Sequence, residues 1–217
     1  MIQRFVLFYR LFMHLIYFHR YPRYFLDFCY IPYILWSKRG MYLGRNVAWS
    51  GIPIISIYPQ SKILIGDKCV ICSRSSQTAL GINHPVVLRT LRAGAELRIG
   101  EGVRMSGTTI CAADKVVVGD RCVIGANVTI VDTDFHSLDA SIRSSTEDSE
   151  NAKAKAVIIG CDVFIGGGTY ILKGVNIGDG AIIGAASVVT SEVAPFTVFA
   201  GNPAKQISIL TRKEINL

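Results

Sequence analysis

Residues 159–194 read IGCDVF-IGGGTY-ILKGVN-IGDGAI-IGAASV-VTSEVA when they are divided into groups of six. Every group begins with a β-branched aliphatic residue, and glycine follows that residue in four of the six groups. The fifth position of each group is always a small or β-branched residue. A strict period of six matches neither the spacing of an amphipathic helix nor the alternation of a half-buried strand. It predicts short flat strands joined by tight corners, each strand turning one large and one small side chain inward.

Three such strands would close one turn of a coil of about 18 residues, and successive turns would stack by parallel pairing about 4.8 Å apart. The same spacing recurs less regularly upstream, at Ile99, Met105 and Cys111 and again at Val118, Ile124 and Ile130. We therefore predict an all-β body over residues 41–194, built as a parallel β-helix. Residues 195–217 would follow as a C-terminal cap, and residues 1–40 would form a separate N-terminal segment.

The N-terminal segment differs in composition from the rest of the 217-residue chain. Residues 1–36 hold 13 of the 21 aromatic residues. The net charge of the whole chain is +7, of which residues 1–39 contribute +5 and all later residues together only +2. A body with so little excess positive charge is not expected to bind nucleic acid.

Within the N-terminal segment, residues 2–19 place Phe5, Phe8 and Phe12 at spacings of three and four, which predicts an amphipathic helix. Arginine interrupts this stretch too often for a membrane-spanning helix. Two roles stay open for residues 1–36: they could lie on anionic lipid at a membrane surface, or pack as a helical cap on the first turn of the coil. No cleavable signal peptide is evident and the six cysteines are scattered, so we expect a cytoplasmic protein. The lipid role would make it peripheral on the inner face of the plasma membrane.

The longest break in the six-residue spacing lies between Ile130 and Ile159, which are 29 residues apart. Residues 137–157 are polar and of mixed charge, which indicates a long loop. A long loop in a compact repeat is usually functional or disordered. The root of this loop is the sequence Asp132-Thr133-Asp134-Phe135-His136.

His136 is a candidate general base, because an imidazole can take a proton from a hydroxyl or an amine near neutral pH. A carboxylate on its second ring nitrogen would fix the tautomer. Asp134 is the first candidate for that carboxylate, since residues two apart on a strand face the same way, and Asp132 is the second. Taken alone, His136 could equally be a surface histidine in a polar turn.

Three motifs together resemble a known family. They are Asp-Thr-Asp-Phe-His-Ser-Leu-Asp at residues 132–139, the Ile-Gly repeats, and Ala-Gly-Asn-Pro-Ala-Lys at residues 200–205. The combination resembles the left-handed β-helix hexapeptide-repeat acyltransferases over residues 41–210. Within that group the chain is most similar to the sugar O-acetyltransferases of bacterial surface-polysaccharide pathways, which are akin to maltose, galactoside and serine acetyltransferases.

The resemblance implies a left-handed coil, a homotrimer with active sites between subunits, and acetyl-CoA as the acyl donor. It also implies that His136 takes the proton from an acceptor hydroxyl while backbone N–H groups hold the oxyanion of the attacked thioester. The acceptor would be a sugar or a glycan, either free or lipid-linked. The family's reaction requires no metal ion.

Donor-binding residues follow from the same resemblance, by their positions in the motifs. They are Phe164, Gly166, Gly167, Ala185, Thr190 and Lys205. Phe164 stands where tryptophan is common in the family, and Ser191 stands where lysine is common, which removes one expected phosphate contact. The glycines and alanine of this set would also follow from the repeat alone.

Other classes of protein fit less well. A γ-type carbonic anhydrase shares the coil but needs three histidines around zinc, and the predicted body contains only His84 and His136. A nucleotidyltransferase needs a glycine-rich phosphate loop between a strand and a helix, and none precedes the repeats. Two alternatives to O-acetylation stay open: N-acylation of an amino sugar, for which the same base would serve, and a non-catalytic β-helix scaffold.

Overall fold

The computed structural model describes residues 39–211 of the chain. Over that range the chain winds into a left-handed parallel β-helix with three sheets, and each turn adds one strand to each sheet. The predicted fold class is thereby confirmed. The predicted N-terminal helix and the membrane or capping role of residues 1–36 lie outside the described residues.

The strands of each sheet recur at every third position along the body. Sheet A consists of β1 (Met41–Leu43), β4 (Lys62–Ile65), β7 (Glu96–Ile99), β10 (Lys115–Val118), β13 (Val157–Ile159) and β16 (Asn176–Ile177). Sheet B consists of β2 (Ala48–Ser50), β5 (Val70–Cys72), β8 (Arg104–Ser106), β11 (Val123–Ile124), β14 (Phe164–Ile165), β17 (Ile182–Ile183), β19 (Thr197–Gly201) and β20 (Ala204–Ile209). Sheet C consists of β3 (Ile54–Ser56), β6 (Val87–Thr90), β9 (Thr109–Ala112), β12 (Thr129–Val131), β15 (Tyr170–Ile171) and β18 (Val188–Val189).

The aliphatic residue that opens each group of six points into the core and stacks on its equivalent in the next turn. In sheet B, Ile124 pairs with Ile165, which in turn pairs with Ile183, and all three are almost fully buried. Small residues at the fifth position, such as Val163 and Thr169, are buried beside them. Burial of each aliphatic side chain stabilises the fold by about 1.5–3 kcal/mol. Repetition from turn to turn therefore produces one continuous core.

We name the corners of the coil by the sheets that they connect: AB, BC and CA. The AB corners begin with glycine because successive turns approach one another backbone to backbone. A Cβ atom on Gly119 would lie 2.5 Å from the carbonyl carbon of Gly160, and one on Gly66 would lie 2.6 Å from that of Gly100. No side chain fits in that space, so the spacing between turns selects glycine.

Two corners are extended by excursions from the coil. Residues 73–86 leave the BC corner of the second turn and contain a 3-10 turn, Ser75–Gln77. Residues 132–156 leave a CA corner and contain two short helices, α1 (Ala140–Arg143) and α2 (Asp148–Asn151). Among the described residues, no helix is both long and apolar enough to cross a membrane. We call residues 132–156 the CA loop; they include nearly all of the loop predicted over residues 137–157.

The C-terminal end of the coil is closed by a hairpin. Strand β19 pairs in parallel with β17 and then turns back to pair antiparallel with β20. Ala204, at the start of β20, is buried against the core. The hairpin occupies the region predicted as a C-terminal cap, of which residues 212–217 lie outside the described residues.

Candidate active site

The two ends of the CA loop are held together by a short antiparallel contact. Thr133 forms a β-bridge with Ala154. The backbone N–H of Asp134 donates to the carbonyl of Lys153 at 3.1 Å, and that of Lys155 donates to the carbonyl of Asp132 at 2.8 Å. The residues that lead to His136 therefore leave the coil in a fixed direction.

Asp132 is a structural residue of the coil. Its side chain is fully buried, and its two carboxylate oxygens accept the backbone N–H groups of Ala113 and Asp114 at 2.7 and 2.8 Å. Burial raises the pKa of this carboxyl, and the backbone hydrogen bonds partly oppose that effect. Both oxygens are thus engaged at the CA corner of the preceding turn, and Asp132 does not orient His136.

Asp134, the first candidate for the orienting carboxylate, is paired with a lysine instead. Its Oδ1 lies 2.5 Å from Nζ of Lys173, which comes from the CA corner of the next turn. Its Oδ2 is buried and has no hydrogen-bond partner among the described residues. This ion pair ties the start of the CA loop to the coil below it.

The chain turns sharply between Asp134 and His136. Phe135 has a φ of +62°, a left-handed conformation that is a genuine outlier for a bulky side chain. Its N–H donates to Oγ1 of Thr133 at 3.2 Å, and its ring is 41% exposed. The turn at Phe135 sends the next side chain, His136, outward, where 69% of it is exposed.

The carboxylate that orients His136 comes from Asp148, twelve residues further along the chain. Oδ2 of Asp148 lies 2.5 Å from Nδ1 of His136, and its Oδ1 accepts the backbone N–H of Ser137 at 2.7 Å. The hydrogen bond from the His136 ring, followed by that from Ser137, holds the pKa of Asp148 below its usual range. Asp148 is therefore ionised at neutral pH and accepts the Nδ1 proton, which leaves Nε2 as the ring nitrogen able to accept a proton.

The sequence did not single out Asp148, because its contact depends on how the CA loop folds. Asp139 caps helix α1 by accepting the N–H of Ser141 at 2.8 Å, and Arg143 donates from Nη1 to the carbonyl of Ser137 at 3.1 Å. These local contacts turn the loop back so that the first residue of α2 reaches the ring. The signal in the sequence that could have pointed to Asp148 was an acidic residue in the long loop that begins at the histidine.

Four of the predicted donor residues lie on sheet B and its BC corner. Phe164 is on β14, with 45% of its surface exposed, and Gly166 and Gly167 follow it into the corner. A Cβ atom on Gly166 would lie 2.4 Å from the backbone nitrogen of Ala185 in the next turn. These four residues are therefore neighbours on the surface. We call them the BC strip: Phe164, Gly166, Gly167 and Ala185.

The other two predicted donor residues lie in different places. Lys205 is exposed on β20, at the C-terminal edge of sheet B. Thr190 is exposed immediately after β18, at the end of sheet C. Lys205 thus belongs to the same sheet as the strip, whereas Thr190 follows the sheet from which the CA loop leaves.

The BC strip differs from three of the six AB corners in its backbone hydrogen bonding. At these three AB corners, the residue after the corner glycine donates its backbone N–H to an aspartate of the next turn. These bonds run from Arg45, Glu101 and Cys161 to Asp67, Asp120 and Asp179, at 2.8, 2.8 and 2.7 Å. At the BC corner, the N–H groups of Gly167 and Ala185 make no hydrogen bond to the described residues. The strip therefore presents donors that an extended ligand with carbonyl groups could use.

The candidate base and the BC strip do not meet within one chain. His136 belongs to a CA corner, whereas Gly167 and Ala185 belong to the BC corner at the other end of sheet C. One triangular coil thus carries the two halves of the candidate site on separate edges.

Metal-ligand chemistry is not evident in the part of the chain that the structure describes. No group of three His, Cys, Asp or Glu side chains there is arranged to hold a metal ion. His84 directs Nδ1 to the carbonyl of Pro85 at 2.8 Å. Cys111 and Cys122 are buried free thiols, and burial raises their pKa values to about 11 and about 12.

Comparison with known proteins agrees with the repeat and the fold. Residues 156–191 match the family described as bacterial transferase hexapeptide (six repeats), and residues 115–131 match the hexapeptide repeat of succinyl-transferase. The chain is 34% identical over 119 residues to a chloramphenicol acetyltransferase of Klebsiella aerogenes, an alignment that covers 48% of this chain and 56% of the relative. It is also 34% identical over 124 residues to the galactoside O-acetyltransferase of Escherichia coli K12, covering 57% of this chain and 56% of the relative.

A solved structure shares the fold. It is a variant of AntD, an N-acyltransferase from Bacillus cereus, in complex with dTDP and coenzyme A, with a TM-score of 0.56 and 19% sequence identity. The match covers 83% of this chain and 90% of that chain. The chain spans a little over half the length of the two curated relatives described above. The predicted resemblance to hexapeptide-repeat acetyltransferases, sugar O-acetyltransferases included, is confirmed.

The hydrogen bond between His136 and the ionised carboxylate of Asp148 predicts a pH-dependent stability. Because the pKa of Asp148 is lowered by folding, its contribution is fully present above the pKa of the unfolded chain and is lost as the pH falls through the folded value. The stability advantage of the wild type over Asp148→Asn should be present at about pH 5 and should shrink as the pH falls below about 4. Urea unfolding of both proteins over this pH range measures it.

The same comparison in a His136→Ala background provides the control. Removing the ring deletes the largest cause of the lowered pKa of Asp148, so the pH-dependent difference should become smaller. An unchanged difference would mean that the contact with His136 does not stabilise the ionised carboxylate.

Proposed function

We propose that this chain is an acetyl-CoA-dependent O-acetyltransferase that acts on a sugar hydroxyl, with His136 as the general base. The observation that carries the proposal is the exposed imidazole of His136, whose Nδ1 is tied to the ionised carboxylate of Asp148. A histidine that only filled a polar turn would not need a dedicated carboxylate from a separate helix. The similarity to curated acetyltransferases over the repeat region supports the same class of reaction.

In the proposed reaction, Nε2 of His136 takes the proton of the acceptor hydroxyl as its oxygen attacks the thioester carbonyl of the donor. The new C–O bond forms, the C–S bond breaks, and the proton passes from His136 to the departing thiolate of CoA. Asp148 stabilises the imidazolium that exists between these proton transfers. Its own proton affinity is low, so it orients the ring and does not take the proton.

The BC strip is the proposed donor site. Its N–H groups at Gly167 and Ala185 belong to successive turns, which are about 4.8 Å apart, a spacing that suits the amide carbonyls of a pantetheine arm. Gly166 itself is required by the stacking of the turns, since a Cβ atom on it would lie 2.4 Å from the backbone nitrogen of Ala185. Phe164 would pack beside it, and Lys205 would meet a phosphate of the nucleotide.

We further propose a homotrimer in which each active site lies between two subunits. The support is the separation of His136 and the BC strip on two edges of one coil. Three-fold association of triangular coils would set the CA edge of one subunit against the BC edge of its neighbour. One chain alone would leave the base and the donor apart.

Replacing the base tests the reaction. His136→Ala should lower kcat by about 10²–10⁴, because general-base help is typically worth that factor, while coenzyme A binding by calorimetry stays near the wild-type value. The assay mixes acetyl-CoA with hydroxyl-only and amino sugars and detects the mass of one added acetyl group. Acetylation of hydroxyl-only acceptors by the wild type is expected. Retention of more than half the rate by the variant would remove His136 from the mechanism, and reaction with amino acceptors alone would favour N-acylation.

A subunit-mixing experiment tests the shared site. His136→Ala subunits lack the base, and Ala185→Trp subunits should exclude the donor, since Ala185 is exposed and a large side chain there leaves the core intact. Each variant alone should be inactive, whereas co-expressed mixtures should recover activity through interfaces that combine two intact halves. Mixing His136→Ala with the double variant should recover none. Mixtures as inactive as their parents would place base and donor in the same chain.

The acceptor and location that we propose rest on the composition of the N-terminal segment. A glycan of surface-polysaccharide biosynthesis, carried on lipid at the cytoplasmic face of the membrane, would suit residues 1–36 with their aromatic and basic side chains. The full-length protein should float with anionic liposomes at low salt and stay free with neutral ones. If it stays free of both, and deletion of residues 1–36 unfolds the body, the segment is a cap.

A further inference from the structure

Arg92 links the coil to the CA loop through two short hydrogen bonds. It lies at the CA corner between β6 and β7, 40 residues before Asp132, where the CA loop begins. Its Nη2 donates to the carbonyls of Ser149 and Ala152, both at 2.6 Å. These carbonyls lie within and immediately after helix α2, where a short helix leaves carbonyl groups without partners of its own.

Helix α2 has little else to hold it in place. None of its four residues is buried, and neither is any residue of helix α1. Apolar packing therefore contributes little to the position of α2, with Ala152 the buried residue at its end. Among the described residues, the charged hydrogen bonds of Arg92 join α2 directly to the coil, and backbone contacts of Lys153 and Lys155 hold the chain that follows it.

The first residue of α2 is Asp148, the carboxylate that holds His136. Ser149, whose carbonyl Arg92 binds, is its direct neighbour in the chain. The path from the coil to the base thus runs from Arg92 through the backbone of α2 to Asp148 and then to Nδ1 of His136. At the other end of the loop, Lys173 holds Asp134.

We propose that Arg92 is a positioning residue for the base: it fixes helix α2 so that Asp148 stays on Nδ1 of His136. Arg92 does not touch the reacting atoms and acts through Asp148. The kinetic consequence rests on the proposed function, whereas the geometric one does not. The experiments therefore include a measurement on His136 that needs no substrate.

The first test is nitrogen NMR of the full-length protein labelled on its histidine rings. The chain has only four histidines, so the His136 signals can be assigned by comparison with His136→Ala. In the wild type, His136 should be the Nδ1–H tautomer with a hydrogen-bonded Nδ1 proton. Arg92→Ala should give mixed tautomers and faster exchange of that proton, as should Asp148→Asn, whereas Arg92→Lys should be intermediate because its ammonium still donates to carbonyls.

Arg89→Ala is the matched control, since Arg89 is an exposed arginine on β6, three residues away. It should leave the His136 signals unchanged. Hydrogen exchange should rise within residues 137–152 of Arg92→Ala and stay the same in the strands of the coil. A rise throughout the coil, or unchanged His136 signals in Arg92→Ala, would overturn the proposal.

A double-variant cycle tests whether Arg92 acts through Asp148. Arg92→Ala should lower kcat about tenfold, part of the 10²–10⁴ that a general base supplies, with little change in the KM for acetyl-CoA. In an Asp148→Asn background the same replacement should have almost no further effect. Additive losses would contradict the proposed path. If the wild type transfers no acetyl group, the proposed function fails, and the NMR result still decides the role of Arg92.

Discussion

The stacking of successive turns, held about 4.8 Å apart by parallel hydrogen bonds, is the constraint on which the rest of this structure depends. At that separation the backbones at the AB corner nearly touch, and a Cβ on Gly119 would lie 2.5 Å from the next turn. Glycine is therefore required there by space. The same spacing aligns one aliphatic side chain from each strand into columns such as Ile124, Ile165 and Ile183, which form the core.

Close stacking also decides where the surface can bind a ligand. Corner N–H groups need partners, and at three of the AB corners aspartates such as Asp179 supply them. At the BC corner the equivalent residues are Gly167 and Ala185, whose side chains carry no oxygen that could accept an N–H of a neighbouring turn. The N–H groups of Gly167 and Ala185 therefore make no hydrogen bond to the described residues, which is why we propose that strip as the donor site.

The CA loop follows a different physical rule. Its helices bury no side chains, so its shape depends on polar contacts at a few points. Lys173 holds the first residues of the loop through Asp134, and Arg92 holds helix α2. Asp148, on α2, then joins this helix to His136 near the start of the loop. A rigid scaffold that positions a loop by charged contacts is a common way to place a reactive side chain precisely enough for chemistry.

The sequence by itself determined the coil, because each group of six residues supplies one inward-facing aliphatic residue and one corner. This local pattern does not depend on contacts with distant residues. It also located His136, because the break after Ile130 shows where the chain leaves the coil. Only the tertiary structure decided that Asp148, and not Asp134 or Asp132, orients the ring, since that contact joins residues through the path of a folded loop. It likewise separated His136 from Gly167 onto different edges. Such contacts depend on how segments meet in space, and local spacing carries no information about them.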